Sequence, residues 1–193
     1  MMRNDYNQQT MKRLFLIVGL LLTVCSLSAQ SVEELTKRAA KGDVEAQVAL
    51  ADYYFEGENA DFAKAAEWYM KAAQQNDPKG QYSLGYCYFL GAGIEPNLDE
   101  ALVWFGRAAE QGSAQAQSYL GFLYMRGIGV QRDYDIAVQY LMPAAEAGDA
   151  EAQYSLALCY FNGVGVERSD EEAMRWVTKA AAQGHAEAKK IAE

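Results

Sequence analysis

The sequence is poor in the residues that catalytic and metal sites use most often. Its 193 residues include one histidine and three cysteines. The motifs Gly-x-Ser-x-Gly, Ser-x-x-Lys and His-Glu-x-x-His do not occur. The lone His185 has no cysteine or second histidine with which to share a metal, so we expect it to cap a helix or lie exposed. We therefore predict no enzyme activity, no catalytic residue, no metal site and no cofactor.

Basic residues are also scarce. The chain has 17 Lys and Arg against 26 Asp and Glu, which gives a net charge of −9. So acidic a chain repels nucleic acid unless its cations are clustered, and no basic run longer than two residues is present. We expect no nucleic-acid partner. The hydrophobic content of 51% is ample for the core of one domain.

The longest apolar run covers residues 14–24, which is short of the roughly 20 residues that a membrane span needs. Lys12-Arg13 precede it and small or polar residues 25–30 follow, the order typical of a secretory signal peptide. We predict a signal peptide over residues 1–30, cleaved after Ala29, with export to the periplasm or beyond and no membrane insertion afterwards. An uncleaved anchor and lipidation at Cys25 are the alternatives. Without residues 1–30, 14 basic and 25 acidic side chains remain, a net charge of about −11.

The remaining chain repeats itself every 34 to 36 residues. Related segments begin at four glutamines, and an aromatic residue follows in each unit at a fixed spacing. The glutamines are Gln47, Gln81, Gln117 and Gln153, and the aromatic residues are Trp68, Trp104, Tyr140 and Trp176. Apolar residues within each unit recur at steps of three and four, as on one face of a helix. A period of this length indicates a solenoid of helical pairs.

Each unit predicts a helix A and a helix B. We predict helix A at 44–56, 78–90, 114–126 and 150–162, and helix B at 62–75, 98–111, 134–147 and 170–183. Residues with short oxygen-bearing side chains precede every helix and predict N-caps: Asp43, Asp77, Ser113 and Asp149 for helix A, and Asp61, Asn97, Asp133 and Ser169 for helix B. Glu100 and Glu172 complete two predicted capping boxes. Residues 31–41 and 185–193 predict partial helices at the two ends.

The unit resembles the Sel-one-like repeat, a relative of the tetratricopeptide repeat. Residues 108–144 meet almost all of its pattern, A-x-x-G-x-x-x-A-Q-x-x-L-G-x-x-Y-x-x-G-x-G-V followed by D-x-x-x-A-x-x-W-x-x-x-A. The resemblance implies a right-handed all-α solenoid over residues 31–193. Its repeats would lie at about 39–73, 74–109, 110–145 and 146–181, with a partial cap at 182–193.

The resemblance also implies a function. Members of this family typically act as adaptors and scaffolds for protein complexes, and many are exported by bacteria. Some cysteine-rich members are linked to β-lactam binding or hydrolysis, but they carry paired cysteines within their repeats. This chain lacks such pairs, so we do not extend that activity to it.

Two features with possible chemistry receive structural interpretations. The pairs Gly91/Gly93, Gly127/Gly129 and Gly163/Gly165 follow predicted helices, whereas a phosphate-binding loop follows a strand, so we interpret their first members as helix C-caps. Cys87 and Cys159 occupy equivalent positions two repeats apart, at roughly 20 Å if adjacent helices are spaced by ~10 Å. Bridged Cα atoms lie within ~7 Å, so we predict two buried thiols without a disulfide.

The last signal is an apolar stripe on helix A, at positions one, five and eight after each repeated glutamine. In tetratricopeptide relatives the corresponding stripe lines the concave face. Exposed aromatic stripes mark partner sites, although the curvature of the solenoid could instead bury part of this one. The predicted partner-binding residues are Tyr82, Tyr86, Phe89, Ser118, Phe122, Met125, Tyr154 and Leu158.

These observations predict an exported, monomeric adaptor that binds a protein or peptide in its concave groove. One alternative is a cell-envelope binder or hydrolase acting on cell-wall or β-lactam-like ligands, which would need convergent polar groups in one pocket. The other is a structural spacer in an envelope complex, which would need apolar helix faces exposed at both ends.

Overall fold

The computed structural model describes residues 31–56 and 60–192, and the secondary structure of this part of the chain is helical throughout. Helix α1 includes residues 31–40. The helices that follow are α2 (Val44–Glu56), α3 (Phe62–Gln74), α4 (Pro78–Leu90), α5 (Leu98–Glu110), α6 (Ala114–Arg126), α7 (Tyr134–Glu146), α8 (Ala150–Asn162), α9 (Asp170–Ala182) and α10 (Ala186–Ala192). The predicted signal peptide, with Cys25 and Ala29, lies outside the described residues.

The even-numbered helices α2, α4, α6 and α8 are the four A helices, and α3, α5, α7 and α9 are the B helices. This confirms the predicted all-α solenoid of four helix–turn–helix repeats. Every helix A has the predicted bounds, and every helix B ends one residue before its predicted end. Helix α1 precedes the first repeat, and the seven-residue α10 follows the last one as a truncated helix A.

The predicted caps fix these bounds. The side-chain oxygen of Asn97 accepts from the backbone N–H of Glu100 at 3.1 Å, and Ser169 does the same for Glu172 at 3.2 Å. The capping boxes, however, are only half formed. The backbone N–H of Asn97 is taken by the carbonyl oxygen of Tyr88 at 3.0 Å, so it leaves no donor for the carboxylate of Glu100.

Small residues on helix A let helix B approach closely within a repeat. A Cβ atom added at Gly85 would lie 2.9 Å from Cδ1 of Phe105, and one added at Gly121 would lie 2.5 Å from Cγ of Leu141. Phe105 and Leu141 are fully buried. In the second and third repeats one large side chain of helix B therefore fills the space that a missing side chain of helix A leaves.

The second glycine of each Gly-x-Gly loop joins one repeat to the repeat before it. A Cβ atom at Gly93 would lie 1.9 Å from the carbonyl oxygen of Phe62, where α3 begins. The equivalent atom at Gly165 would lie 2.3 Å from the carbonyl oxygen of Tyr134, where α7 begins. The first glycine has the predicted role: Gly91 is the left-handed C-cap of α4, with φ 71°. The loop thus ends helix A with its first glycine and packs against helix B of the preceding repeat with its second.

The repeated glutamines connect three consecutive helices. Gln153 Nε2 donates to the carbonyl oxygen of Ala145 in α7 at 3.0 Å, and Gln153 Oε1 accepts from the side-chain amide of Gln183, just after α9, at 2.9 Å. Gln47 is only 3% exposed and is held in the same way, by Ala39 and Gln75. The third repeat departs from this pattern. Gln117 keeps its bond to Ala109, but Ala147 stands where the other units have a glutamine.

Candidate functional site

A cavity of about 550 Å³ opens on the face formed by the A helices, between α2, α4 and the start of α6. Three of its lining residues come from the second half of α2, five from α4, and others from the α5–α6 connection. Lys79 and Glu56 supply charge to it, and Tyr82 and Tyr86 supply aromatic surface. The cavity therefore combines an apolar wall with a charged rim, as binding sites for other molecules generally do.

Asp52 is the polar centre of this cavity. Its Oδ1 accepts from the Tyr69 hydroxyl at 2.7 Å, and its Oδ2 lies 2.6 Å from Lys79 Nζ. Tyr69 belongs to α3, so its side chain crosses from helix B to the A-helix face. Burial, together with the neighbouring carboxylate, raises the pKa of Tyr69 above its ordinary value. The phenol is therefore held as a neutral donor that orients Asp52.

Aromatic rings form the opposite wall. The rings of Tyr82 and Tyr86 are stacked with centroids 6.2 Å apart, and the ring of Phe55 lies 6.2 Å from that of Tyr86. Tyr119 contacts Tyr86 edge-on at 5.4 Å from behind. Burial, and then the nearby Tyr86 and Asp149, raise the pKa of Tyr82 to about 12. The wall is thus a packed and neutral aromatic surface at neutral pH.

The structure places the eight predicted partner-binding residues in three environments. Tyr82 and Tyr86 line the cavity. Ser118 is only 6% exposed and is therefore buried. The others are half-buried outside the cavity lining. They are Phe89 and Phe122 against the core of the second and third repeats, Met125 and Tyr154 against the core of the last two repeats, and Leu158 on α8.

Several lining residues were missed from the sequence. Lys79 and Glu56 lie two residues before and nine residues after a repeated glutamine, just outside the stripe of positions one, five and eight. Gln111 and Ser113 line the cavity from the α5–α6 connection. Only the position of that connection, next to the start of helix A, could have indicated them.

The tryptophans of the B helices lie under cations of their own helix. Lys71 Nζ is 3.6 Å from the ring centroid of Trp68, and Lys179 Nζ is 4.0 Å from that of Trp176. In the second repeat the guanidinium carbon of Arg107 lies 4.5 Å from the ring of Trp104. These aromatic surfaces are therefore already occupied from within the chain.

The two cysteines of the described residues and the histidine, which are the residue types most often reactive in proteins, have structural roles in this fold. Cys87 and Cys159 are free and fully buried, as predicted. His185 caps α10, because its Nδ1 accepts from the backbone N–H of Ala188 at 3.2 Å while its ring stacks on Tyr154 at 4.4 Å. Among residues 31–56 and 60–192, no group of three or more acidic, His or Cys residues could hold a metal ion. In the same ranges no helix is both long and apolar enough to cross a bilayer.

Four stacked helix pairs define an α-solenoid repeat protein, in which each unit packs on its neighbours. The model of the Sel1 repeat matches residues 44–77, 78–113, 114–149 and 150–185, four or five residues later than the predicted repeat starts. The chain therefore belongs to the Sel1 repeat family. Proteins of this family generally mediate protein–protein interaction, and the scaffold is typically non-enzymatic.

Solved structures give the same placement, and one curated protein is similar over part of the chain. A Sel1 repeat protein from Oxalobacter formigenes is 37% identical with a TM-score of 0.78, covering 83% of this chain and 65% of that one. The protective antigen c5321 of uropathogenic Escherichia coli is 36% identical with a TM-score of 0.75, covering 81% of this chain and 34% of that one. The chitin synthase regulator SKT5 of Saccharomyces cerevisiae is 36% identical over 83 residues, which are 41% of this chain and 12% of SKT5. The chain thus spans only a small part of this curated relative.

Proposed function

We propose that this protein is an exported adaptor that binds a segment of a partner protein in the cavity on its A-helix face. One observation carries the proposal: Phe55, Tyr82 and Tyr86 line one wall of an open cavity of about 550 Å³. Rigid aromatic rings provide a large contact area at a small cost in conformational entropy, which makes them common anchors of protein interfaces. The family's general role in protein–protein interaction supports the same function.

The adaptor acts by presenting a surface that is ordered before the partner arrives. Tyr119 holds Tyr86 from behind, and Tyr69 fixes Asp52 from helix B. Binding to such a surface orders few additional side chains of the adaptor, so less of the interaction energy is lost to entropy. The apolar stripe beyond the cavity, through Phe122 and Leu158, would contact the flanking residues of the bound segment.

We place this function outside the cytoplasm, in the bacterial periplasm or as a secreted protein. The sequence of residues 1–30 supports that location, since a basic start precedes an apolar run too short for a membrane span. Fusion of residues 1–30 to a reporter enzyme that is active only after export would test it. Replacement of Leu16 and Leu20 by Asp should keep that reporter inactive.

Site-specific photocrosslinking tests the binding site. A benzoylphenylalanine at Gln115, which is exposed and lines the cavity, should form one dominant adduct in the native compartment. The same group at Val103, which is 48% exposed on α5, is the matched control and should not form it. The added substitution Tyr82→Ala should abolish the Gln115 adduct, and Tyr82→Phe should retain it.

Equal adducts at the two positions, or an adduct that survives Tyr82→Ala, would contradict the proposal. Tyr82 also packs on Phe105 with ring centroids 5.9 Å apart, so its truncation costs stability. Thermal melting of each variant is therefore needed, and the crosslinking is carried out below the lowest melting temperature.

A further inference from the structure

We propose that the partner segment is basic and that the cavity receives the cationic side chain of one of its arginines or lysines. This inference rests on the proposed function and specifies the chemistry of its partner. The cationic group would lie between the carboxylate of Glu56 and the ring faces of Tyr82 and Tyr86. The remaining residues of the segment would follow the aromatic stripe in extended form.

The charges of the cavity lining favour a cation. Asp52 and Glu56 contribute two carboxylates, while Lys79 is the single cation among the described lining residues. Lys79 is already paired with Asp52 at 2.6 Å. Glu56 is exposed and forms no ion pair within 4.0 Å in residues 31–56 and 60–192. The lining thus has one carboxylate without a counterion.

The aromatic rings favour the same ligand. Cations prefer ring faces within ~6 Å of the centroid, and the tryptophan rings of the B helices are each covered in this way from within the chain. In the part of the chain that the structure describes, no cation lies over the ring of Phe55, Tyr82 or Tyr86. The rings that face the cavity are therefore available to a cation from outside, unlike those of the three tryptophans.

Acidic residues outside the cavity lining, and the net charge of the chain, also favour a cationic partner. Burial and then neighbouring tyrosines raise the pKa of Tyr82 and Tyr119, and Asp149 and Glu151 respectively add a smaller effect in the same direction. The chain without residues 1–30 has 25 acidic and 14 basic side chains. A surface of this sign attracts basic segments from a distance and raises their association rate at low salt.

Fluorescence anisotropy with three labelled peptides tests the assignment on residues 31–193. The probes are a ten-residue Gly/Ser peptide with four arginines, the same peptide with citrulline, and the same peptide with glutamate. We expect the arginine peptide to bind at least ~10-fold more tightly than the neutral citrulline peptide, and the difference to shrink at high salt. Equal binding of the arginine and citrulline peptides would overturn the assignment.

Charge variants distinguish the effect of the cavity charges on peptide binding from the effect of the net charge of the protein. Glu56→Gln should weaken binding of the arginine peptide several-fold (~3 to 10), whereas Lys79→Gln should tighten it by freeing Asp52 for the ligand. Glu171→Gln on α9 makes the same charge change as Glu56→Gln on an exposed residue outside the cavity lining, and it should leave the affinity unchanged. A loss at Glu171→Gln equal to that at Glu56→Gln, or no gain at Lys79→Gln, would overturn the proposal.

Competition with a chito-oligosaccharide distinguishes a glycan from a peptide. Displacement of the arginine peptide by the neutral sugar, with retained affinity in Glu56→Gln, would assign the cavity to carbohydrate and reject the basic partner.

The adaptor function and the basic partner can be rejected separately. A Gln115 adduct without arginine binding rejects only the cationic partner, whereas the absence of any cavity-dependent adduct rejects the adaptor function itself.

Discussion

The side-chain amide of Gln111 donates to Oε1 of Gln81 at 2.7 Å, which joins the C-terminal end of one helix B to the buried start of its helix A. Gln81 is only 2% exposed. Equivalent bonds join Gln75 to Gln47 and Gln183 to Gln153. In the first, second and fourth repeats this glutamine is therefore a structural connector, and a polar side chain is tolerated in the core because both ends of its amide are bonded.

Truncation of such a connector should destabilise the fold. Gln153→Ala removes two hydrogen bonds, the one to the carbonyl oxygen of Ala145 and the one from the amide of Gln183, so we expect a loss of about 1–3 kcal/mol in the free energy of unfolding. Gln117→Ala removes one side-chain bond, to Ala109, and should cost less. Urea denaturation followed by circular dichroism measures both, and equal losses would contradict this role of the second bond.

The third repeat offers the converse experiment. Ala147 takes the place of the bridging glutamine, and its backbone lies at φ −71° and ψ −6°, close to the −88° and 6° of Gln111. Ala147→Gln can therefore supply the missing donor to Gln117, and we expect a gain of about 0.5–1.5 kcal/mol. The double variant Ala147→Gln with Gln117→Ala should lose that gain.

Substitution of the second loop glycine by alanine should destabilise the fold far more than the same substitution at another glycine with positive φ. Gly93→Ala places a Cβ atom against the carbonyl oxygen of Phe62, so the second repeat must move away from the first. Gly112→Ala, at φ 83°, has nothing within 4 Å and should cost only about 1–2 kcal/mol of backbone strain. Thermal melting compares the two variants, and similar melting temperatures would show that the joint between repeats yields easily.

The equivalent tryptophans should differ in their contribution to stability. Trp176 is 2% exposed, so Trp176→Ala should lower the free energy of unfolding by about 3–5 kcal/mol. Trp104 is half-buried, so Trp104→Ala should lower it by less. Within residues 31–56 and 60–192 the buried Trp176 Nε1 has no hydrogen-bond partner, which lowers the net benefit of burying this ring. Trp176→Phe keeps the apolar contact without that donor and should recover most of the loss. Chemical denaturation of the three variants provides the comparison.

The two buried thiols should resist modification. Burial raises the pKa of Cys87 and Cys159 to about 11 from an ordinary value of 9.0. At pH 8 only ~0.1% of each thiol is ionised, compared with ~10% in the unfolded chain, so alkylation by iodoacetamide should follow unfolding. The raised pKa means that the fold holds these thiols neutral. Their contribution to stability is therefore intact below pH 9, and it declines towards pH 11 because the thiols of the unfolded chain ionise first. Peptide-resolved mass spectrometry at pH 8 checks the labelling, and rapid modification of folded protein would contradict burial.

The fold could be predicted almost completely because its determinants are local and occur four times. Helix bounds followed from the caps, such as Asn97 and Ser169, and from the apolar spacing, while the left-handed end of α4 followed from Gly91. The capping boxes were predicted in full but formed only in half. Their failure has a tertiary cause, since the backbone N–H of Asn97 binds Tyr88 on the preceding helix.

The candidate site was predicted less well because side-chain exposure depends on how neighbouring repeats pack. Periodicity treats Tyr82 and Ser118 as equivalent positions, yet the first lines the cavity and the second is buried. The link between Tyr69 and Asp52 crosses from helix B to helix A and has no counterpart in the other units. A site made by differences between repeats cannot be read from the pattern that the repeats share.

The contact of Gly165 with Tyr134, like that of Gly93 with Phe62, has a consequence for how such chains arise. Each of the last three units carries a helix B start on one side and a second loop glycine on the other, which are the two halves of the same joint. Tandem duplication therefore yields a new unit that already fits its predecessor, and deletion of a whole unit rejoins compatible halves. The length of the solenoid can change during evolution in whole steps, without redesign of the interface between units.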